Sequence, residues 1–405
     1  MLLGLFFAGN ILFATGLIFH AFVYNFYLEA LGLSVQVMGH AGAAMTSGSL
    51  VALIPAGALV DQKGPTRALL IGTVVMATGL GLGAVVVTPW AIYTAAAIAG
   101  AGSGFWRAAM APVLMRLTAL PTRARAFAWS NGLIVAWSGI GVAMAGVTPA
   151  WLSARWGLAH LPALRVALAL GAVGSGASLP FFRALRLRAE PAHTGPPGAA
   201  ASAATPDVAR RILPLIGLIA VWLLGPALVT PFLNIFFSHE HGAPISSIGI
   251  GFGVVNWVWA LVLLASGELT TRFGVRRALF VSVLCFSPAI WGLSLVHSLQ
   301  LAWVMYALQG LIAPLNTPFI DQWLLDETPP TSQGIVSSWR QVTADATTIV
   351  GASLGGHVLA QGTFGTLFLL AGTVALAGAG GLIASVRARP AVRPEAPQTK
   401  IAHHT

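Results

Sequence analysis

Ionisable side chains are expensive at the depth of a lipid bilayer, so any that sit inside long apolar stretches are the first places to look for chemistry. This chain of 405 residues has few of them. Arg107, in the segment FWRAAMAP, has only small helical neighbours: Gly100, Ser103, Gly104, Ala108 and Ala111. Such a face can border a cavity, where a guanidinium suits a carboxylate, a phosphate or a paired acid. The plainer reading is an arginine that satisfies backbone carbonyls or reaches for the membrane surface. Asp345 lies deep in another apolar stretch and shares a helix face with Gln341, four residues before it. It is the group best suited to gain and lose a proton, because a low dielectric favours a neutral acid. Arg340 points off that face. At about 1.5 Å rise per residue it lies about 9 Å inside its helix start, near the depth of Asp321 on the preceding span. Asp321 and Arg340 therefore read as a structural ion pair.

Weaker signals surround these. His20, with Tyr24 four residues on and Asn25 beside it, reads first as packing and second as a polar patch for substrate. Asn234, Gln309 and Asn316 complete the polar set expected to face a substrate; Gln309 and Asn316 are seven apart and share a face. His239, Glu240 and His241 form a polar cluster that reads as a solvated loop ahead of a metal site. No metal and no cofactor are expected. The chain has no phosphate-cradling glycine loop, no zinc-ligand spacing and no nucleophile elbow, so the sequence predicts neither an enzyme nor transport driven by ATP within this chain.

The elements that would hold these residues follow from composition. The chain is 57% hydrophobic and 8% charged, against about 25% charged residues in an ordinary soluble domain. It cannot cover a water-facing surface, so a polytopic membrane protein is expected. Twelve stretches are long enough to span, at about 20 apolar residues each: 2–27, 38–59, 67–87, 90–116, 125–150, 162–184, 211–237, 246–268, 277–296, 300–325, 334–358 and 363–387. The first lacks a basic leader and reads as a retained helix. The Pro-, Ala- and Gly-rich stretch 185–210 reads as a linker between six-helix bundles at 1–184 and 211–387, and 388–405 as a disordered tail. Cys285, alone of its kind, reads as a small core residue. Trp90, Trp151, Trp156, Trp303 and Trp323 fall near span ends, as interface anchors do. Pro226 and Pro231 in the seventh span and Pro314 and Pro318 in the tenth predict kinks.

The net charge of +10 does not point to nucleic acid, because the basic residues are sorted by loop. Of 21 Lys and Arg, only Arg155 and Arg165 fall in one set of loops, and Arg107 and Arg340 lie within spans. The rest occupy the alternate loops, the linker and the tail. Basic loops stay inside, so both termini are expected in the cytoplasm of a multi-pass inner-membrane protein.

The segment GALVDQKGPTRALL, at 57–70, returns as GELTTRFGVRRALF at 267–280. The same register aligns Phe22 with Phe232, Phe26 with Phe236, Gly32 with Gly242 and Gly39 with Gly249. A repeat across half the chain predicts an all-α membrane protein of two pseudo-symmetric six-helix bundles.

These features resemble the major facilitator superfamily across nearly the whole chain. They include twelve spans, a central linker, and a Gly-x-Leu-x-Asp-x-x-Gly-x-x-Arg loop built here from Gly57, Leu59, Asp61, Gly64 and Arg67. Size and the segment YNFYLEALGLS are similar to the drug-proton antiporter branch. The resemblance implies a conformational latch at Gly57, Asp61, Gly64 and Arg67, echoed by Gly267, Arg272 and Gly274. Thr271 stands where the second loop would carry the acid, so the charged latch is expected in the first half alone. Three functions are weighed. The first is a transporter exporting an amphiphilic or drug-like molecule against protons, as a monomer with protons, substrate and lipid as its partners. The second is a carrier of an organic anion with Arg107 as ligand. The third is a transport-inactive receptor or lipid-handling protein on the same fold.

Overall fold

Proline and glycine set the ends of helices that the composition makes unavoidable. The computed structural model describes residues 2–185, 206–273, 275–329 and 332–387. The side chains of 263–271, 312–318 and a few positions between 273 and 283 fall outside that description. Gly267, Thr271, Gly274 and the side chain of Asn316 therefore lie outside the described residues, as do most of the expected linker and the tail.

The described residues form helices and no strand. The first half holds α1 (Leu2–Ala30), α2 (Val35–Lys63), α3 (Pro65–Gly83), α4 (Pro89–Leu117), α5 (Leu120–Trp156), α6 (His160–Gly176) and the short α7 (Leu179–Arg183). The second holds α8 (Pro206–Val229), α9 (Leu233–His239), α10 (Ile245–Phe273), α11 (Val275–Leu295), α12 (Leu299–Asp326), α13 (Gln333–Gln361) and α14 (Phe364–Arg387). Each of the expected spans overlaps a helix, and eight helical stretches among the described residues are long and apolar enough to cross a membrane. Two spans are interrupted. The sixth is α6 followed by α7. The seventh is α8 and α9 joined by a 3-10 turn at Thr230–Phe232, where Pro231 removes a backbone donor from the helical ladder. The fifth span is longer than expected, because Pro121 starts α5 early and Gly157 closes it late in a left-handed conformation.

The repeat is visible in the geometry. Gly32 and Gly242 are register partners, and both turn the chain with positive φ, 74° and 61°. The helices α5 and α6 flank α1 as α13 and α14 flank α8, and α2 and α3 pack on α4 as α10 and α11 pack on α12. The halves join along two seams, α2 against α13 and α5 against α10. A Cβ built on Gly146 would lie 2.7 Å from the Cα of Gly249, and one on Gly356 would lie 3.3 Å from the Cα of Gly39. Gly39 and Gly249 are 210 residues apart, and so are Gly146 and Gly356. The seams are thus one glycine contact made twice about a pseudo-two-fold axis. Glu29 and His239 are separated by the same 210 residues and bond to each other at 2.6 Å, which sets that pair near the axis.

Side chains that face outward here face lipid, so apolar exposure is expected. Ile54 is 83% exposed and Leu261 64%. The same logic corrects two expectations. Cys285 is exposed on α11 and is not a core residue. Trp323 is buried and cannot anchor at an interface, whereas Trp90, Trp151 and Trp156 are exposed near helix ends.

Candidate functional site

The small-residue face of α4 does a different job from the one expected. A Cβ on Gly100 would collide with the carbonyl oxygen of Met45, and one on Gly104 with that of Ser49. These glycines let α4 press against the α2 backbone and do not border a cavity. The close approach carries the Ser49 hydroxyl to Arg107, whose Nη1 donates to its Oγ at 3.1 Å. The other arm of the guanidinium crosses between the halves. Arg107 Nη2 donates to Asp345 Oδ2 at 3.0 Å, with side-chain exposures of 29% and 13%. The pair lies well inside both helices, ten residues short of the end of α4 and twelve past the start of α13.

Asp345 has a second donor. Gln341, one turn back on α13, gives its Nε2 hydrogen to Oδ1 at 3.3 Å. Arg340 does not point away as the helical wheel suggested. Its Nη2 donates to Gln341 Oε1 at 3.4 Å, while its Nε pairs with Asp321 Oδ1. A continuous polar chain therefore runs Ser49, Arg107, Asp345, Gln341, Arg340, Asp321, from α2 and α4 in one half to α12 in the other.

The remaining expected residues are elsewhere. His20 and Tyr24 are buried and lie ring to ring, centroids 4.0 Å apart, and the Tyr24 hydroxyl has no hydrogen-bond partner among the described residues. Gln309 is buried, and its Oε1 has no hydrogen-bond partner among the described residues. Asn234 joins the halves: its Nδ2 donates to Phe22 O at 2.9 Å, and its Oδ1 accepts from Asn25 Nδ2 at 3.1 Å. Asn25 also donates to Pro231 O. That carbonyl is left by the 3-10 turn, so the break in the seventh span supplies acceptors to the first. Sequence reading missed Glu29, although the repeat register already aligned it with His239. Among the described residues His239 and its neighbours form no metal-holding group. In the loop between α9 and α10, burial lowers the affinity of His241 for a proton.

In the expected latch, Gly64 makes the turn at φ 86°. Asp61, Lys63 and Arg67 are exposed, and neither Asp61 nor Arg67 forms an ion pair among the described residues. Arg272 is also exposed. The cross-half bonds made by Asn25, Asn234, Arg107 and His239 lie at mid-depth or toward the loops opposite the termini. These bonds join the halves at that end.

The family model described as Major Facilitator Superfamily matches residues 3–230 and again 215–404. The chain belongs to that superfamily. This major facilitator protein is accordingly a multi-pass membrane transporter by family. Multidrug export protein EmrB of Haemophilus influenzae is 29% identical over 119 residues, 29% of this chain and 23% of that protein. EmrB of Escherichia coli K12 is 27% identical over the same extent. The matched stretch spans about a quarter of the length of these relatives. Among solved structures, the nucleoside transporter NupG superposes with TM-score 0.72 at 16% identity, covering 95% of this chain and 98% of that one. An auto-inhibited POT family peptide transporter gives 0.75 at 11% identity, covering 97% and 99%. Likeness at such identity establishes the major facilitator fold and leaves substrate to be argued from the site.

Proposed function

We propose that this protein is a proton-coupled secondary transporter that exports an amphiphilic, drug-like small molecule by alternating access between its halves, 1–184 and 211–387. The observation that carries the reading is the Arg107–Asp345 pair, 3.0 Å long and made across the two halves. When the halves part, this pair must open. Each bare charge at that depth then needs a new partner, since leaving one unpaired costs several kcal/mol. A proton satisfies Asp345, and substrate or water satisfies Arg107. Proton, substrate and motion are thereby tied to one contact. Binding of substrate and of proton compete for the same charge balance, which is what exchange of one for the other requires.

The partial likeness to proteins named for multidrug export supports efflux as the direction. A cavity of about 300 Å³ lies at the end of the first half that holds the amino terminus. It is lined by Leu3, Phe7, Thr118, Thr122, Arg125, Ala126 and Trp129. In this reading both termini are cytoplasmic, the protein works as a monomer in the inner membrane, and Asp61 with Arg67 latches the cytoplasmic end when it closes. A second reading, transport of an organic anion, is favoured by one asymmetry. Arg107 is the more exposed partner, 29% against 13%, so an anion can reach the guanidinium before anything reaches the carboxylate. A substrate screen in proteoliposomes with an imposed pH gradient separates the two. Uphill movement of amphiphilic cations or neutral compounds supports export of drug-like molecules. Movement restricted to carboxylates supports the second reading.

A further inference from the structure

Gln341 occupies the one position that touches both charged pairs of the polar chain. Its Nε2 donates to Asp345 Oδ1 at 3.3 Å, and its Oε1 accepts from Arg340 Nη2 at 3.4 Å. An amide can turn over and exchange its donor and acceptor ends. Here it cannot do so freely. Arg340 carries only donors, so it fixes Oε1 toward itself and leaves Nε2 facing Asp345. Asp321, paired with Arg340 Nε, holds the guanidinium in place. The consequence for Asp345 is definite. An ionised carboxylate welcomes a donor at Oδ1. A protonated carboxyl with its hydrogen at Oδ1 is a weaker acceptor for that donor.

We infer that Gln341 is a positioning residue for proton exchange. It keeps a donor on Asp345 Oδ1 and ties the hydrogen-bond partners of Asp345 to the Arg340–Asp321 pair. A proton on Oδ1 weakens that oxygen as acceptor for Gln341, and a proton on Oδ2 weakens its bond to Arg107. The first outcome loosens a pair inside the second half. The second loosens the contact between halves. In both, a proton at mid-depth becomes a change in side-chain partners.

Among the described residues, no other side chain bonds to Asp345. Its charged neighbours are Arg107 from α4 and, through Gln341, Arg340 and then Asp321 of α12. From α2, which packs along α13, the Ser49 hydroxyl reaches Arg107. Among the described residues, no ionisable side chain of α8 or α14, the other helices packed on α13, bonds to Asp345.

This inference rests on Asp345 as the proton carrier, and its test distinguishes the two claims. Infrared difference spectra of the full-length protein in lipid, titrated with acid, report the C=O stretch of a protonated carboxyl. The band lost in Asp345→Asn belongs to Asp345. Gln341→Met keeps the volume and removes the donor, so that band should appear at a pH about one unit higher, a tenfold change in proton affinity. Arg340→Lys keeps the charge but cannot hold Asp321 and Gln341 together, and should move the band the same way by less. Both shifts together support the inference. A band at the wild-type pH in both variants overturns it while leaving Asp345 as the carrier. A spectrum unchanged in Asp345→Asn removes the carrier itself, and the inference with it.

Discussion

Arg107 and Asp345 were readable from sequence because charge is rare in these spans, and rarity makes each charge a question that the fold must answer. The same holds for Asp321 and Arg340, whose depths matched before their contact was seen. Gln341 was less legible. Its face was evident from helical spacing, but its second bond depends on the long Arg340 side chain curling back, which no helical wheel describes. The cross-half bonds of Asn25 and Asn234 were hidden for a simpler reason: hydrogen bonding between residues 209 apart leaves no local pattern. At this scale the prediction concerns Arg107. Arg107→Ala should weaken binding of anionic substrates by about 10- to 100-fold, the worth of one or two charge-assisted hydrogen bonds, and should change binding of cations far less. Equilibrium binding to purified protein checks it, and equal loss for both classes would make Arg107 a structural residue.

At the scale of elements, what matters is how closely α2 approaches α13 and α5 approaches α10. Gly39, Gly146, Gly249 and Gly356 make those approaches possible, and no larger residue fits without a shift. The repeat had already aligned Gly39 with Gly249. It could not say that both meet a second pair in the same register, because that requires knowing which helices face each other across the axis. Gly146→Leu should overpack one seam by about 1–3 kcal/mol and disfavour the state closed opposite the termini by about tenfold or more. Gly217→Leu, which points into open space, is the matched control. Spin labels placed in the loops after α1 and after α9 should show longer distances in Gly146→Leu and unchanged ones in Gly217→Leu. If the two variants give the same distances, the glycine seam does not set the closed state.

At the scale of the whole molecule, the fold was the most legible part. Composition demanded a membrane protein, and the repeat demanded two related halves. Boundaries were less so: the fifth span gained a turn or more at each end because helix caps, and not hydropathy alone, decide where a helix stops. Two predictions belong here. In a Cys285→Ser background, needed because Cys285 is exposed, cysteines at Gly198 and Ser202 should label only from the cytoplasmic side. Labelling from the outside would invert the topology. Asp61 forms no ion pair among the described residues, while bonds join the halves at the opposite end, as a latch for the other state should allow. Asp61→Asn should therefore slow transport by about tenfold with folding intact, and Thr271→Ala, its register partner, should not. Equal slowing in both would contradict a latch confined to the first half.

The central claim is that one cross-half ion pair links proton, substrate and motion, and Asp345→Asn tests it most directly. Proteoliposomes carrying the variant should be compared with wild type in two assays: exchange of labelled for unlabelled substrate with no gradient, and uphill accumulation driven by a pH gradient. The account predicts that exchange persists, because substrate still binds and the halves still move, while accumulation driven by the gradient is lost. Accumulation at the wild-type level, with the same dependence on pH, would contradict it.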